Sequence, residues 1–191
     1  MRQCSDIIDS VAAGERLSAE DALTLWREAP LWQLGELAVA RKREISGDKV
    51  FYNKNFHLEP TNLCVFNCKF CSFRRTPGSP EAWDMSMEEV EQMVRRYESS
   101  GVTEVHIVGG VHPRHDIYYY CDMIRRVKAI LPSVAVKAFT AIELSYMIRN
   151  AGLTTEQGLR LLIEAGMEAI PGGGAEIFDE TIRKQICPDK G

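Results

Sequence analysis

The chain has 191 residues, 45% of them hydrophobic and 26% charged, which fits an ordinary globular domain and excludes disorder, collagen-like repeats and a disulfide-stapled miniprotein. Lys+Arg 23 against Asp+Glu 27 leaves a formal net charge of -4, the wrong sign for a surface built around a nucleic-acid backbone, so no nucleic-acid partner is expected. No apolar run approaches the roughly 18–20 residues of a membrane span and residues 1–6 form no signal-peptide core, so no membrane partner and a cytoplasmic location are expected.

Residues 18 to about 43 carry helical signals. Ser18-x-x-Asp21 resembles a capping box, and Pro30 is placed as the first residue of a second helix. Leu31, Leu34 and Ala38 follow as an apolar stripe, and Lys42 and Arg43 fill the last turn before Gly47. Residues 1–50 are therefore expected to be an N-terminal helical extension packed on something larger. From Phe56 onward, short strand-like runs alternate with amphipathic helices, the pattern of βα units and a parallel sheet.

The spacing predicts a strand over 55–62, a cysteine loop, and a helix over 86–100 closed by Gly101. A second strand over 103–108 runs into Gly109-Gly110, and a helix over about 117–131 stops at Pro132. A third strand covers about 134–141, and a helix over 155–165 ends at Gly166. A fourth strand, 167–170, precedes Pro171-Gly172-Gly173-Gly174, and a last helix starts near Phe178. Four βα units are half of an eight-stranded (β/α) barrel, for which about 250 residues is typical. The expected fold class is thus α/β, with residues 51–191 as the N-terminal half of a barrel. Such a half is expected to be cut from a longer protein, and by itself inactive.

Of the six cysteines, Cys64, Cys68 and Cys71 fall within eight residues, while Cys4, Cys121 and Cys187 are scattered. That is no disulfide framework, and a tight thiol cluster in a reducing compartment points to a metal or to catalysis. Cys64-Val65-Phe66-Asn67-Cys68-Lys69-Phe70-Cys71 is a C-x-x-x-C-x-x-C directly after the first strand. Three thiolates there can hold three irons of a [4Fe–4S] cluster, which takes four cysteines when fully ligated, leaving one iron open to a ligand. A zinc site completed by His57 or His112 is the alternative; structural zinc sites more often pair two separated knuckles.

This segment resembles the signature of the radical S-adenosylmethionine (SAM) superfamily, in which an aromatic residue, here Phe70, precedes the last cysteine and lies near the adenine. The resemblance implies that the open iron chelates the SAM methionine moiety and that one electron yields methionine and a 5′-deoxyadenosyl radical. It implies that backbone groups at Gly109 and Gly110 receive the methionine amino group, although the usual acidic third residue is Val111 here. Two glycines after a strand can equally be an ordinary tight turn.

Longer strings narrow the resemblance. His57-Leu58-Glu59-Pro60-Thr61-Asn62, the run from Glu104 to Pro113, and Pro171-Gly172-Gly173-Gly174-Ala175-Glu176-Ile177 are similar to the group of futalosine-route and deazaflavin-forming enzymes. That group contains aminofutalosine synthase, dehypoxanthine futalosine cyclase and the second subunit of FO synthase. Lys137-Ala138-Phe139-Thr140-Ala141-Ile142-Glu143 and Ala175-Glu176-Ile177-Phe178 are most similar to the first of these. The implied reaction serves menaquinone synthesis: the adenosyl radical adds to the enol-ether double bond of 3-[(1-carboxyvinyl)oxy]benzoate, with rearrangement and decarboxylation. SAM is then a consumed co-substrate, and an electron donor such as flavodoxin or ferredoxin is implied.

Individual residues follow from the barrel reading. His57, Glu59 and Thr61 share one strand face by period-two alternation, and a polar interior face points to a small-molecule substrate, with mutual pairing of His57 and Glu59 as the alternative. Thr140 and Glu143 at the end of the third strand, and Glu176 after the glycine run, are placed at the functional rim, where carboxylates can hold ribose hydroxyls. Glu176 can also cap the next helix. His112 and His115 read as loop histidines and Cys121 as core; Cys4 and Cys187 carry no pattern, and no catalytic residue is assigned.

Overall fold

A computed structural model of the chain describes residues 2–173 and 177–190. Glu176 therefore lies outside the described residues. The chain divides into two compact units, one ending at Tyr52 and the other beginning at Asn53.

The first unit holds three helices, α1 (Cys4–Ala12), α2 (Ala19–Glu28) and α3 (Leu31–Ser46). The capping box at α2 forms as its sequence predicts: the Ser18 hydroxyl accepts from the Asp21 amide at 3.0 Å and the Asp21 carboxylate accepts from the Ser18 amide at 3.3 Å. Pro30 sits one position earlier than expected, as the extended N-cap of α3 (φ -60, ψ 138). The expected burial of the Leu31, Leu34 and Ala38 stripe is not observed, since α3 contains no buried residue. α1 has no side-chain cap at Gln3, the signal whose absence hid it in the sequence.

In the second unit, β1 (Asn55–Leu58), β2 (Glu104–Ile107) and β3 (Ala135–Ala138) form a parallel sheet in that order. Helices α4 (Met87–Arg95), α5 (Ile117–Ile130), α6 (Ala141–Asn150), α7 (Thr155–Ala165) and α8 (Glu180–Ile186) complete it. Alternation assigns one sheet face to the core: Phe56, Leu58, Val105, Ile107, Val136 and Ala138 are buried and pack with Val90, Val94, Ile117, Ile124, Val127, Met147 and Leu162 of the helices. The other face is polar. Register puts His57 beside His106 and His106 beside Lys137, and Lys137 Nζ lies 2.6 Å from a Glu104 carboxylate oxygen.

Three elements depart from expectation for identifiable reasons. β1 ends at Leu58 instead of residue 62, because Pro60 cannot donate to a ladder; Thr61 and Leu63 make only isolated bridges to Asp84 and Arg75. β3 ends at Ala138, because Phe139 adopts a left-handed φ of 64 and Thr140 begins α6. That strained turn is held by burial of the Phe139 ring against Tyr120 and by the Phe139 amide, which donates to the Ile107 carbonyl at 2.9 Å. The expected fourth strand is reduced to a bridge between Lys137 and Ala169. α4 stops at Arg95, and the chain reaches Gly101 (φ 68) through turns.

Candidate active site

All three strands run the same way, so their C-terminal ends present the following loops along one edge. The loop after β1 carries the cysteines, the loop after β2 carries Gly109-Gly110, and the turn after β3 leads to Thr140. These loops enclose a cavity of about 240 Å³. Cys64, Cys68 and Cys71 all line it, with Phe70, Gly109, Thr140, Glu143 and Glu59. They share the wall with the apolar side chains of Phe66, Phe73, Val108, Val111 and Ile142, while Gly110 and His57 do not line the cavity.

The glycines are required by proximity. A Cβ on Gly109 would stand 2.8 Å from the Thr61 carbonyl oxygen, and one on Gly110 would collide with the Leu63 carbonyl. The Gly110 amide donates to Thr61 at 2.7 Å and the Val65 amide donates to Val111 at 3.0 Å, so the turn clamps the root of the cysteine loop. Neither glycine has a positive φ, and their role here is close backbone approach.

Glu143 ties the third loop to the second. Thr140 and Glu143 form the capping box of α6, with Glu143 Oε2 accepting from the Thr140 amide at 2.6 Å while its Oε1 accepts from the Gly109 amide at 3.0 Å. Thr140 is therefore the N-cap of α6 and Glu143 lies in its first turn, beyond the strand end at Ala138. Burial pushes the Glu143 carboxyl above its ordinary range, against the lowering effect of those amides. Thr61 does not share the exposed face of His57 and Glu59: it is fully buried and its hydroxyl donates to the Trp83 carbonyl at 2.9 Å. His57 Nδ1 lies 3.9 Å from Glu59 and its ring meets His106 edge-on, so the mutual pairing weighed from sequence is present.

The three thiols suit an iron–sulfur cluster. They are free and share one cavity with apolar walls, Cys64 and Cys68 partly buried and Cys71 exposed. Burial pushes the Cys68 thiol up, opposed by the nearby Lys190 ammonium. Arg74 braces the loop from within, donating through Nε to the Cys64 carbonyl at 3.3 Å and through its guanidinium to the Asn67 side chain at 3.1 Å. Sequence reading missed Arg74 and Lys190, which also line the cavity; Arg74 follows the cysteine motif closely, but nothing local marks Lys190.

Neither His57 nor His112 completes a zinc site with the cysteines. His57 faces Glu59, and His112 Nε2 and His115 Nε2 each lie 3.4 Å from the same Asp84 oxygen. That trio is itself ill-suited to a metal. His112 Nδ1 accepts from the Arg114 amide at 3.2 Å, which leaves the single proton of the neutral ring on Nε2, the atom a metal would need. The two rings also stack face to face at 3.9 Å, with Tyr119 stacked on His115 at 3.8 Å, instead of converging edge-on. Burial holds both histidines below their ordinary range, against the opposing pull of Asp84.

Residues 58–191 match the Radical SAM superfamily. The chain is 41% identical over 181 residues to an aminodeoxyfutalosine synthase of Streptomyces coelicolor, covering 95% of this chain and 47% of the relative, and 39% identical to that of Thermus thermophilus, covering 96% and 50%. It is 34% identical to a 5-amino-6-(D-ribitylamino)uracil–L-tyrosine 4-hydroxyphenyl transferase of Methanoculleus marisnigri, covering 97% and 51%. The chain thus spans about half the length of these relatives. Among solved structures, methylornithine synthase (PylB) matches with a TM-score of 0.69 at 18% identity, covering 94% of this chain and 50% of that one. HydG, a maturase of the [FeFe]-hydrogenase, matches at 0.74 and 21%, covering 97% and 39%. These likenesses show that the chain shares its α/β fold with about half of PylB and two fifths of HydG.

Two outcomes follow. Glu143→Ala removes the acceptor of two amides at the loop junction and should lower unfolding stability by about 1–3 kcal/mol; a urea midpoint equal to the parent's would show that the two hydrogen bonds are dispensable. Because the folded-state pKa values of His112 and His115 are depressed, the unfolded chain takes up protons first as pH falls below 6.5. Stability present at neutral pH should therefore fall progressively from that point downward, and His115→Phe, which keeps the ring stack, should flatten the fall; equal slopes in parent and variant would contradict it.

Proposed function

Since the chain belongs to the radical SAM superfamily, we propose that Cys64, Cys68 and Cys71 hold three irons of a [4Fe–4S] cluster and that the whole protein joins the adenosyl group of SAM to a small carboxylate substrate. The observation that carries this reading is the gathering of the three thiols, Phe70, Gly109 and Glu143 on one cavity. The bound cluster and SAM supply the electron and the adenosyl radical.

The residues of this chain bind, orient and exclude water. Phe70 is half exposed over the cavity, available to the adenine ring. The Gly109 and Gly110 amides are engaged by Glu143 and Thr61, so the groups these residues offer the methionine ammonium are their carbonyl oxygens. Thr140 and Glu143, and with them Glu176, are the candidates for the ribose hydroxyls; each Glu143 oxygen keeps a second lone pair beyond its amide bond. Glu59 provides a polar group at the cavity wall and His57 its neighbour, as substrate contacts. Arg74 and Lys190 bring positive charge to a cavity that receives carboxylates. Phe66, Phe73 and Ile142 give the site apolar walls, the kind of lining that a reactive carbon radical needs against side reactions.

The identities of 41% and 39% favour the aminodeoxyfutalosine synthase reaction; the sequence resemblance adds 3-[(1-carboxyvinyl)oxy]benzoate as substrate and a flavodoxin or ferredoxin as electron donor, and a cytoplasmic location is proposed with it. Among the described residues no helix is long and apolar enough to cross a membrane. The 34% identity to the 4-hydroxyphenyl transferase supports a second reading, a transferase with tyrosine as a substrate, related to the FO synthase subunit of the sequence resemblance. Mass spectrometry of the reduced whole protein with SAM and each substrate separates them. An adenosylated product without matching free 5′-deoxyadenosine is expected from the enol ether; free 5′-deoxyadenosine with consumption of tyrosine would move the protein to the transferase reading.

A further inference from the structure

The mechanism leaves one contact on the cysteine loop unused. Segment 186–190, which starts at the last residue of α8, meets that loop at both sides of Cys68: the Asn67 amide donates to Asp189 Oδ2 at 3.0 Å, and the Lys69 amide donates to the Ile186 carbonyl at 2.8 Å. Cys187, between the two bonding residues in the chain, is buried, and Lys190 Nζ stands 5.9 Å over the Phe70 ring. The segment is itself anchored, since the Cys187 amide donates to Arg183 at 2.7 Å and the Lys190 amide to Cys187 at 3.1 Å. The partners are 122 residues apart in the chain for the Asn67–Asp189 bond.

A loop bearing three ligands must hold them in one geometry for a cluster to bind tightly, and the hydrogen bonds behind the ligands set that geometry. Arg74 fixes the loop at Cys64 and Asn67 from inside. Within the loop the Cys71 amide donates to the Cys68 carbonyl at 3.1 Å, while the amides on either side of Cys68 are held from outside, by Asp189 and Ile186. We propose that segment 186–190 is a clasp that holds Cys68 in its cluster-binding position, with Asp189 as a positioning residue. The proposal rests on the assignment of the cluster to Cys64, Cys68 and Cys71.

Asp189 is exposed, so its replacement removes the bond without opening the core. The test compares the parent protein, Asp189→Ala and Asp189→Asn after anaerobic reconstitution with iron and sulfide, by the rate at which EDTA strips iron. A charge-assisted hydrogen bond predicts loss about tenfold faster in Asp189→Ala. Asp189→Asn keeps a side-chain oxygen for the Asn67 amide and should stay within about twofold of the parent. In the cluster-free proteins, hydrogen exchange at the Asn67 amide should be slow in the parent and in Asp189→Asn and fast in Asp189→Ala. Equal iron loss in parent and Asp189→Ala would overturn the clasp and leave the cluster assignment standing. Equal lability of the two variants would overturn it as well, by assigning the effect to charge alone. A parent that takes up no iron and sulfide would overturn the cluster assignment and the clasp with it.

Discussion

The contact on which the site depends is the backbone approach between the Gly109-Gly110 turn and residues 61–63. Parallel pairing of β1 with β2 sets the two loops side by side, and only glycine lets the second lie against the carbonyls of the first. The Gly110 amide closes on Thr61 and the Val65 amide on Val111, so the cysteine loop leaves the sheet in a fixed direction. Glu143 then joins the same turn to the start of α6, which brings three successive strand ends into one wall. A buried carboxylate is costly, and here two amide donors offset part of that cost, which explains a raised but satisfied acid at the centre of the site.

The sheet separates two tasks. Its apolar face of Phe56, Leu58, Val105, Ile107, Val136 and Ala138 packs the helices and supplies the hydrophobic stabilisation. Its other face is polar from His57 through His106 to Lys137, with the Lys137–Glu104 ion pair holding Glu104 below the usual carboxylate range. In a barrel this second face looks inward, and Glu59, just beyond β1, lines the cavity.

Much of this was legible in the sequence, because the informative signals are local. The cysteine spacing, the paired glycines, the boxes at Ser18 and the helices at 117 and 155 read directly from residue type and period. The helix Ala141–Asn150 was missed although its box, Thr140-x-x-Glu143, stands in the sequence; the apolar run from Val134 made a longer strand the easier reading. The extra length of the first strand was misread because Thr61 fits the alternation while Pro60 ends the ladder. The bonds that flank Cys68 could not be read at all. Ile186 and Asp189 have no spacing relation to the motif, and only folding brings them to it.

The central claim is that the three-cysteine loop presents a cluster with one iron open to SAM. Electron paramagnetic resonance of the reconstituted, reduced protein with and without SAM tests it most directly. The account predicts a reduced [4Fe–4S] signal whose g-values shift when SAM is added, because the co-substrate enters the coordination of one iron. A colourless protein that retains zinc in air, or a cluster whose signal ignores SAM, would contradict it.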